Sequence, residues 1–266
     1  MPSVNLVWAI ALREFRRRQT YRSANLAGLI TNAVFGFLRT AVFLSLFQLQ
    51  PVVAGYDTRD IITYSWLIQA LIMVVHLWGW YDVEATIRSG DVVTDLFRPL
   101  DFLYYWLARD VGRAAFFALF RGLPILAFGQ VVFGLRMPID PLTWLAFAAS
   151  VLLGVMVSFC WRFAINLSAF WTTDARGLGL IGTTIISLAC GFILPLHFFP
   201  EPIRTWLLLS PFAGVSQTPV DIFLGRLAGA DAAIAIATQL AWAITLLAAT
   251  RALVAVATRR VIIQGG

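Results

Sequence analysis

Residues 13–47 read REFRRRQTYRSANLAGLITNAVFGFLRTAVFLSLF, and this stretch decides the fold class. Arg13, Arg16, Arg17, Arg18 and Arg22 precede an apolar run, Leu26–Phe47, whose one charge is Arg39. About 20 residues of helix cross the ~30 Å hydrocarbon layer of a bilayer. Lipid offers nothing to an unpaired peptide group, so a run of this length is read as a membrane-spanning helix. Arginines crowded on one flank place that flank in the cytosol.

Five more runs follow: Ile61–Trp80, Val111–Phe133, Leu142–Trp161, Leu178–Phe198 and Ile234–Ala255. Each is too long for a barrel strand of ~10 residues. The reading is therefore an all-α membrane protein with six spans forming a single transmembrane domain over residues 1–266. Of the 266 residues, 60% are hydrophobic and 13% charged, and the charges lie mostly between the runs, which excludes an ordinary water-soluble domain. Six spans with the N-terminus inside put fourteen arginines on the cytosolic side and only Arg59, Arg136, Arg204 and Arg226 outside. Both termini are then cytosolic.

All 20 basic residues are arginine. The phosphate-binding motif GxxxxGK[ST] needs a lysine, so this chain cannot hold one, and any ATP-driven work would need a second chain. The net charge of +6 follows the membrane edges and forms no single face, so a nucleic-acid partner is not expected. Cys160 and Cys190 read as packing residues, and no CxxC or HExxH spacing suggests a metal.

The segments between the spans are less uniform. Val4–Tyr21 is amphipathic, and residues 1–24 are expected to form an interface helix on the cytosolic side, its guanidiniums toward anionic headgroups. Residues 81–110 form the densest mixed-charge loop. A short helix over Asp91–Phe97 fits there, with Asp near its start and Arg98-Pro99 at its end. Exposed apolar residues among those charges suit a docking element for a cytosolic protein. Residues 199–229 are broken by Pro200, Pro202, Pro211 and Pro219. Their apolar pieces, Ile203–Leu209 and Val220–Leu224, are too short to cross, so two short re-entrant helices on the outer side are expected, with an external cap folded over the bundle as the competing picture.

Two arginines fall inside spans. Arg121 lies about ten residues into its run, ~15 Å deep and near the midplane; Arg39 lies in the outer half of the first span. Both are candidates for a translocation path or a subunit interface. The alternative for each is a structural pair with a carbonyl or polar side chain. No row of intramembrane carboxylates suggests an ion-coupled carrier. His76 and His197 fall near opposite faces, so no convergent set suggests an intramembrane enzyme.

The segment Ile87-Arg-Ser-Gly-Asp-Val-Val-Thr-Asp-Leu-Phe-Arg-Pro-Leu100 resembles the cytosolic loop of permease subunits of ATP-binding-cassette exporters of the type-two class. Leu194-Pro-Leu-His-Phe-Phe-Pro200, Ser210-Pro-Phe212 and Thr218-Pro-Val-Asp-Ile-Phe-Leu-Gly225 resemble the same family's stretch between its fifth and sixth spans. The resemblance implies a coupling helix after the second span and re-entrant helices before the sixth. It implies that Glu84, Arg88, Asp91, Asp95, Leu96 and Arg98 meet a nucleotide-binding ATPase subunit. It also implies a second permease subunit, either a copy of this chain or a similar one. ATP and Mg would sit on the partner, with no cofactor or catalytic residue in this chain. The implied setting is the bacterial inner membrane, among its lipids, and the implied cargo is apolar or amphiphilic. The competing expectation is an ATP-independent carrier, scaffold or sensor subunit.

Overall fold

A computed structural model describes residues 4–172 and 174–260. Among these, helices α1 (Val4–Gln19) and α2 (Arg22–Leu49) come first. A hairpin of two-residue strands follows, β1 (Val52–Val53) and β2 (Tyr56–Asp57), paired antiparallel with Val52 opposite Asp57. Then come α3 (Thr58–Val75), α4 (Asp82–Ser89), α5 (Val92–Leu96), α6 (Phe102–Phe117) and α7 (Leu123–Phe133), with a π-helical turn, Ala118–Gly122, joining the last two. The rest are α8 (Pro141–Leu167), α9 (Ala169–Thr172), α10 (Arg176–Ala189), α11 (Ile203–Leu209), α12 (Gln217–Phe223) and α13 (Gly229–Ala257).

Five of these units are long and apolar enough to cross a membrane: α2, α3, the continuous α6–α7, α8 with α9, and α13 with the turn after it. The chain is a mostly helical, multi-pass membrane protein. The remaining expected span, Leu178–Phe198, holds one α-helix, the 14-residue α10 that begins two residues before it, and a single 3-10 turn at Leu196–Phe198. The α-helix is about 21 Å long, short of the ~30 Å a crossing needs. The helix stops because Gly191 takes a left-handed backbone, φ +83°, and Pro195 follows. The irregular backbone beyond it is satisfied by protein. Tyr64 donates to the Gly191 carbonyl. Ser216 Oγ (2.6 Å) and Gln217 N (3.0 Å) donate to the Cys190 carbonyl, and Leu196 N donates to Gln217 Oε1 at 2.9 Å. Backbone of this kind survives in an apolar layer only with such shielding.

Three other boundaries shift. The second run ends as helix at Val75, five residues before Trp80. The loop 81–110 gives up its last part to α6, whose N-cap Asp101 accepts from the amides of Leu103 and Tyr104. The single short helix expected over Asp91–Phe97 is the five-residue α5, and α4 precedes it as a second. Short helices do occupy Ile203–Leu209 and Gln217–Phe223.

The amphipathic α1 lays its apolar side lengthwise on α6. Ala11 meets Gly112, where any Cβ would collide with the Ala11 backbone. Phe15 stands edge-on to Phe116 and Phe120, and Arg18 lies over Phe117. Both cysteines are buried and unbridged.

Candidate functional site

The end of α3 is where the polar chemistry gathers. His76 adopts φ +54° and stops the helix, leaving its last carbonyls without intrahelical partners. Side chains from two other helices take three of them. Arg113 on α6 donates to Met73 O at 2.5 Å and Val74 O at 2.9 Å, and Ser158 on α8 donates to Val75 O at 2.5 Å. A cation at a helix C-terminus also suits the partial negative charge there.

Arg113 is one corner of a buried ion cluster. Its Nε donates to Asp110 Oδ1 at 2.8 Å, and Arg162 donates to Asp110 Oδ2 at 2.8 Å. The three side chains are only 2%, 2% and 5% exposed for Arg113, Asp110 and Arg162. Arg162 also lies over the ring of Trp80, 5.0 Å from its centroid. Two guanidiniums share one carboxylate, and the surplus positive charge faces the carbonyl end of α3.

Ser158, Arg162 and Asn166 stand four residues apart, so they occupy one face of α8 in successive turns. Asn166 completes the series. Its amide donates to Trp80 O at 2.9 Å, and its oxygen accepts from Glu84 N at 2.9 Å, in the first turn of α4. One edge of α8, about 12 Å long at 1.5 Å per residue, therefore holds the end of α3, the ion cluster and the start of α4. In the sequence alone Arg113 and Arg162 count among the cytosolic arginines and Asp110 belongs to the mixed-charge loop 81–110, and nothing joins the three. Their i,i+3 and i,i+4 spacings on two apolar helices were the available signal.

The six residues expected to meet an ATPase divide by exposure. Arg88, Asp91 and Arg98 are exposed and Leu96 is half-buried. Glu84 and Asp95 turn inward. Glu84 has Arg88 Nε 3.7 Å away, and Asp95 accepts from Arg98 Nε at 2.9 Å. Each of these carboxylates pairs locally, Glu84 within α4 and Asp95 at the end of α5, and neither faces outward. Beside the exposed Arg88, Asp91 and Arg98, the apolar residue that faces outward is Phe97, 80% exposed just after α5.

Arg39 and Arg121 each take a backbone carbonyl. Arg39 donates to Ile193 O at 2.8 Å, and its guanidinium lies 5.5–5.8 Å from the ring centroids of Phe43, Tyr64 and Phe192. It lines a groove of about 580 Å³ between α2, α3 and the chain after α10, where Asn32 and Gln69 are among the few other polar groups. Arg121 donates to Ala24 O at 3.1 Å, packs on Gly28 and lies over Phe117. Its guanidinium thus ends at the first turn of α2, the arginine-rich end, and not at the midplane. The structure does not bring the two together.

At the opposite end, Asp221 on α12 joins several elements. It accepts from Tyr56 (3.0 Å) and Gln217 (2.9 Å), and its other oxygen meets His197 Nε2 at 2.8 Å. Arg226 lies 4.0 Å over the Tyr56 ring and donates to the Gly55 and Ala54 carbonyls. Burial, then Asp221, pushes the Tyr56 phenol well above its ordinary range, so Tyr56 remains a donor.

A family model described as an ABC-2 family transporter protein matches residues 33–265. No curated protein and no solved structure matches the chain.

Proposed function

The chain belongs to the ABC-2 transporter family and is thereby a membrane permease of an ABC transporter, and on that premise we propose that it works as an exporter permease driven through α4–α5. Membership implies association with an ATP-binding subunit. In the proposed arrangement residues 1–266 act as one transmembrane unit in a bacterial inner membrane, with both termini cytosolic. ATP and Mg are bound and turned over on the partner. A second permease subunit completes the path, and the cargo is apolar or amphiphilic.

The observation that carries this reading is the shared edge of α8. Ser158 fastens the C-terminus of α3 to α8, Asn166 fastens the N-terminus of α4 to it, and Arg162 between them ties in Asp110 of α6, whose partner Arg113 holds the end of α3. A push on α4–α5 by a closing ATPase would reach α3 and α8 together. The equilibrium between inward- and outward-facing states would shift by as much as ATPase closure favours one of them. The exposed Arg88, Asp91, Phe97 and Arg98 supply what a docking surface needs, an aromatic anchor with charges around it.

Phe97→Ala is expected to weaken binding of the ATPase subunit by about 2 kcal/mol, roughly thirtyfold, as for a central aromatic anchor. Asp91→Arg, which touches only the exposed Ser89 side chain and its own turn, is expected to slow association more than dissociation. Both are read by surface interferometry with the purified ATPase. Unchanged binding in both variants would move the docking surface away from α4–α5.

The groove beside Arg39 is the proposed path, and its single cation predicts a preference. In inverted vesicles, Arg39→Gln is expected to reduce uptake of anionic amphiphilic dyes about tenfold, the value of one charge-assisted hydrogen bond. Neutral dyes should be little affected. An equal loss for both classes would make Arg39 structural.

A further inference from the structure

We propose that the groove between α1 and the segment that runs from Arg98 into the first half of α6 is a binding site for an anionic phospholipid of the cytosolic leaflet. The groove measures about 690 Å³ and is walled by Leu6 and Ile10 on one side, with Arg13, Arg17, Arg98 and Arg109 around it. Emptied of ligand it would hold some twenty waters, at ~30 Å³ each.

Charge identifies the occupant. Glu14 is the one carboxylate on the wall, and it is already shared by Arg18 (2.9 Å), Arg17 (3.4 Å) and Arg109 (3.4 Å). Burial pushes its carboxyl up, but Arg109, Arg18 and Arg17 together pull it lower still, so it stays ionised. Asp95 neutralises Arg98 from outside the groove, and Asp82 lies 3.9 Å from Arg109. Five guanidiniums, counting Arg18, thus face three carboxylates, an excess of two positive charges. Arg13 is exposed and makes no ion pair among the described residues. A phosphodiester among these arginines would supply one of the two missing negative charges.

The aliphatic wall separates a lipid from a free anion. Leu6 and Ile10 are half-buried, and on the same helix Val4 and Trp8 are 82% and 68% exposed. A phosphodiester at the arginines would lay its glycerol and first methylenes along Leu6 and Ile10. A small anion would leave that wall bare. Trp8 has the amphipathic ring favoured at the level of the headgroups. The site does not require an ATPase beside it, so it can fail while the permease reading stands, and the reverse.

The test is native mass spectrometry of the purified full chain in mild detergent, titrated with phosphatidylglycerol or phosphatidylcholine. Wild type is expected to retain phosphatidylglycerol preferentially. Arg13→Gln should weaken that retention roughly fivefold and Arg13→Gln with Arg98→Gln roughly 25-fold, at about 1 kcal/mol per arginine. Arg13 has no partner to lose, so its variant keeps the fold. Arg16→Gln, on the same helix but off the groove, should bind as wild type. Equal retention of the two lipids, or indifference to Arg13→Gln, would overturn the proposal. Competition by millimolar inorganic phosphate would show a small-anion site instead. Competition by the purified ATPase would assign the groove to protein.

Discussion

Asp110→Asn is expected to be the most damaging single polar change in the chain. It leaves Arg113 and Arg162, almost wholly buried, without a carboxylate. Removing one partner from a buried ion cluster costs about 3–5 kcal/mol, because the remaining charges stay desolvated and unpaired. The effect should appear as a large fall in the temperature at which the detergent-solubilised protein aggregates. Replacing the whole cluster with apolar residues separates stability from function. Asp110→Leu, Arg113→Met and Arg162→Met together bury no charge, and such exchanges are often neutral or stabilising. The triple variant should therefore be more stable than Asp110→Asn alone. It should still fail in transport, because Arg113 no longer holds the Met73 and Val74 carbonyls. A triple variant that transports normally would reduce the cluster to a stability device.

Asn166→Leu is expected to produce the largest change in coupling. The Asn166 side chain bridges Trp80 O and Glu84 N, and no other polar side chain among the described residues does so. Its loss leaves those buried backbone groups unpaired, at roughly 1–3 kcal/mol each. More importantly, it frees the start of α4 from α8. Coupling free energies between sites are typically 1–3 kcal/mol, so transport per ATP hydrolysed should fall roughly 5- to 150-fold. ATPase docking should be retained, since the exposed face of α4–α5 is untouched. Reconstituted vesicles that report hydrolysis and transport side by side would measure the ratio. An unchanged ratio would mean the push reaches α3 by another route.

Much of this was legible because membrane insertion imposes one strong rule. Runs such as Leu26–Phe47 and Ile234–Ala255 could be little else, and α2 and α13 occupy them. Pattern failed where tertiary contacts replace helix hydrogen bonds. Leu178–Phe198 is as apolar as its neighbours, yet its outer third is held by Tyr64, Ser216 and Gln217, which lie 20 to 130 residues away in sequence. The left-handed turn at His76 likewise has no local signal, since histidine is not a residue that usually ends a helix this way. In the loop, charge was a guide to position but not to direction. Glu84 and Asp95 carry the same kind of charge as Asp91, but the helical phase of α4 and α5 turns the first two inward. Arg121 misled by depth alone, because a long side chain carries its charge several ångströms from its backbone. The cluster at Asp110 escaped because its members come from two spans, and only their packing unites them.

The account rests on α4–α5 being the surface through which an ATPase drives the spans. The direct measurement is a photo-crosslinking amino acid placed at Phe97, expressed in the native host, irradiated and analysed by mass spectrometry. A matched control at Trp206, 74% exposed at the opposite end, would show background labelling. The account predicts a crosslink from position 97 to a P-loop ATPase and none from position 206. A chain that purifies without any P-loop ATPase, and whose position 97 labels only lipid or solvent, would contradict it.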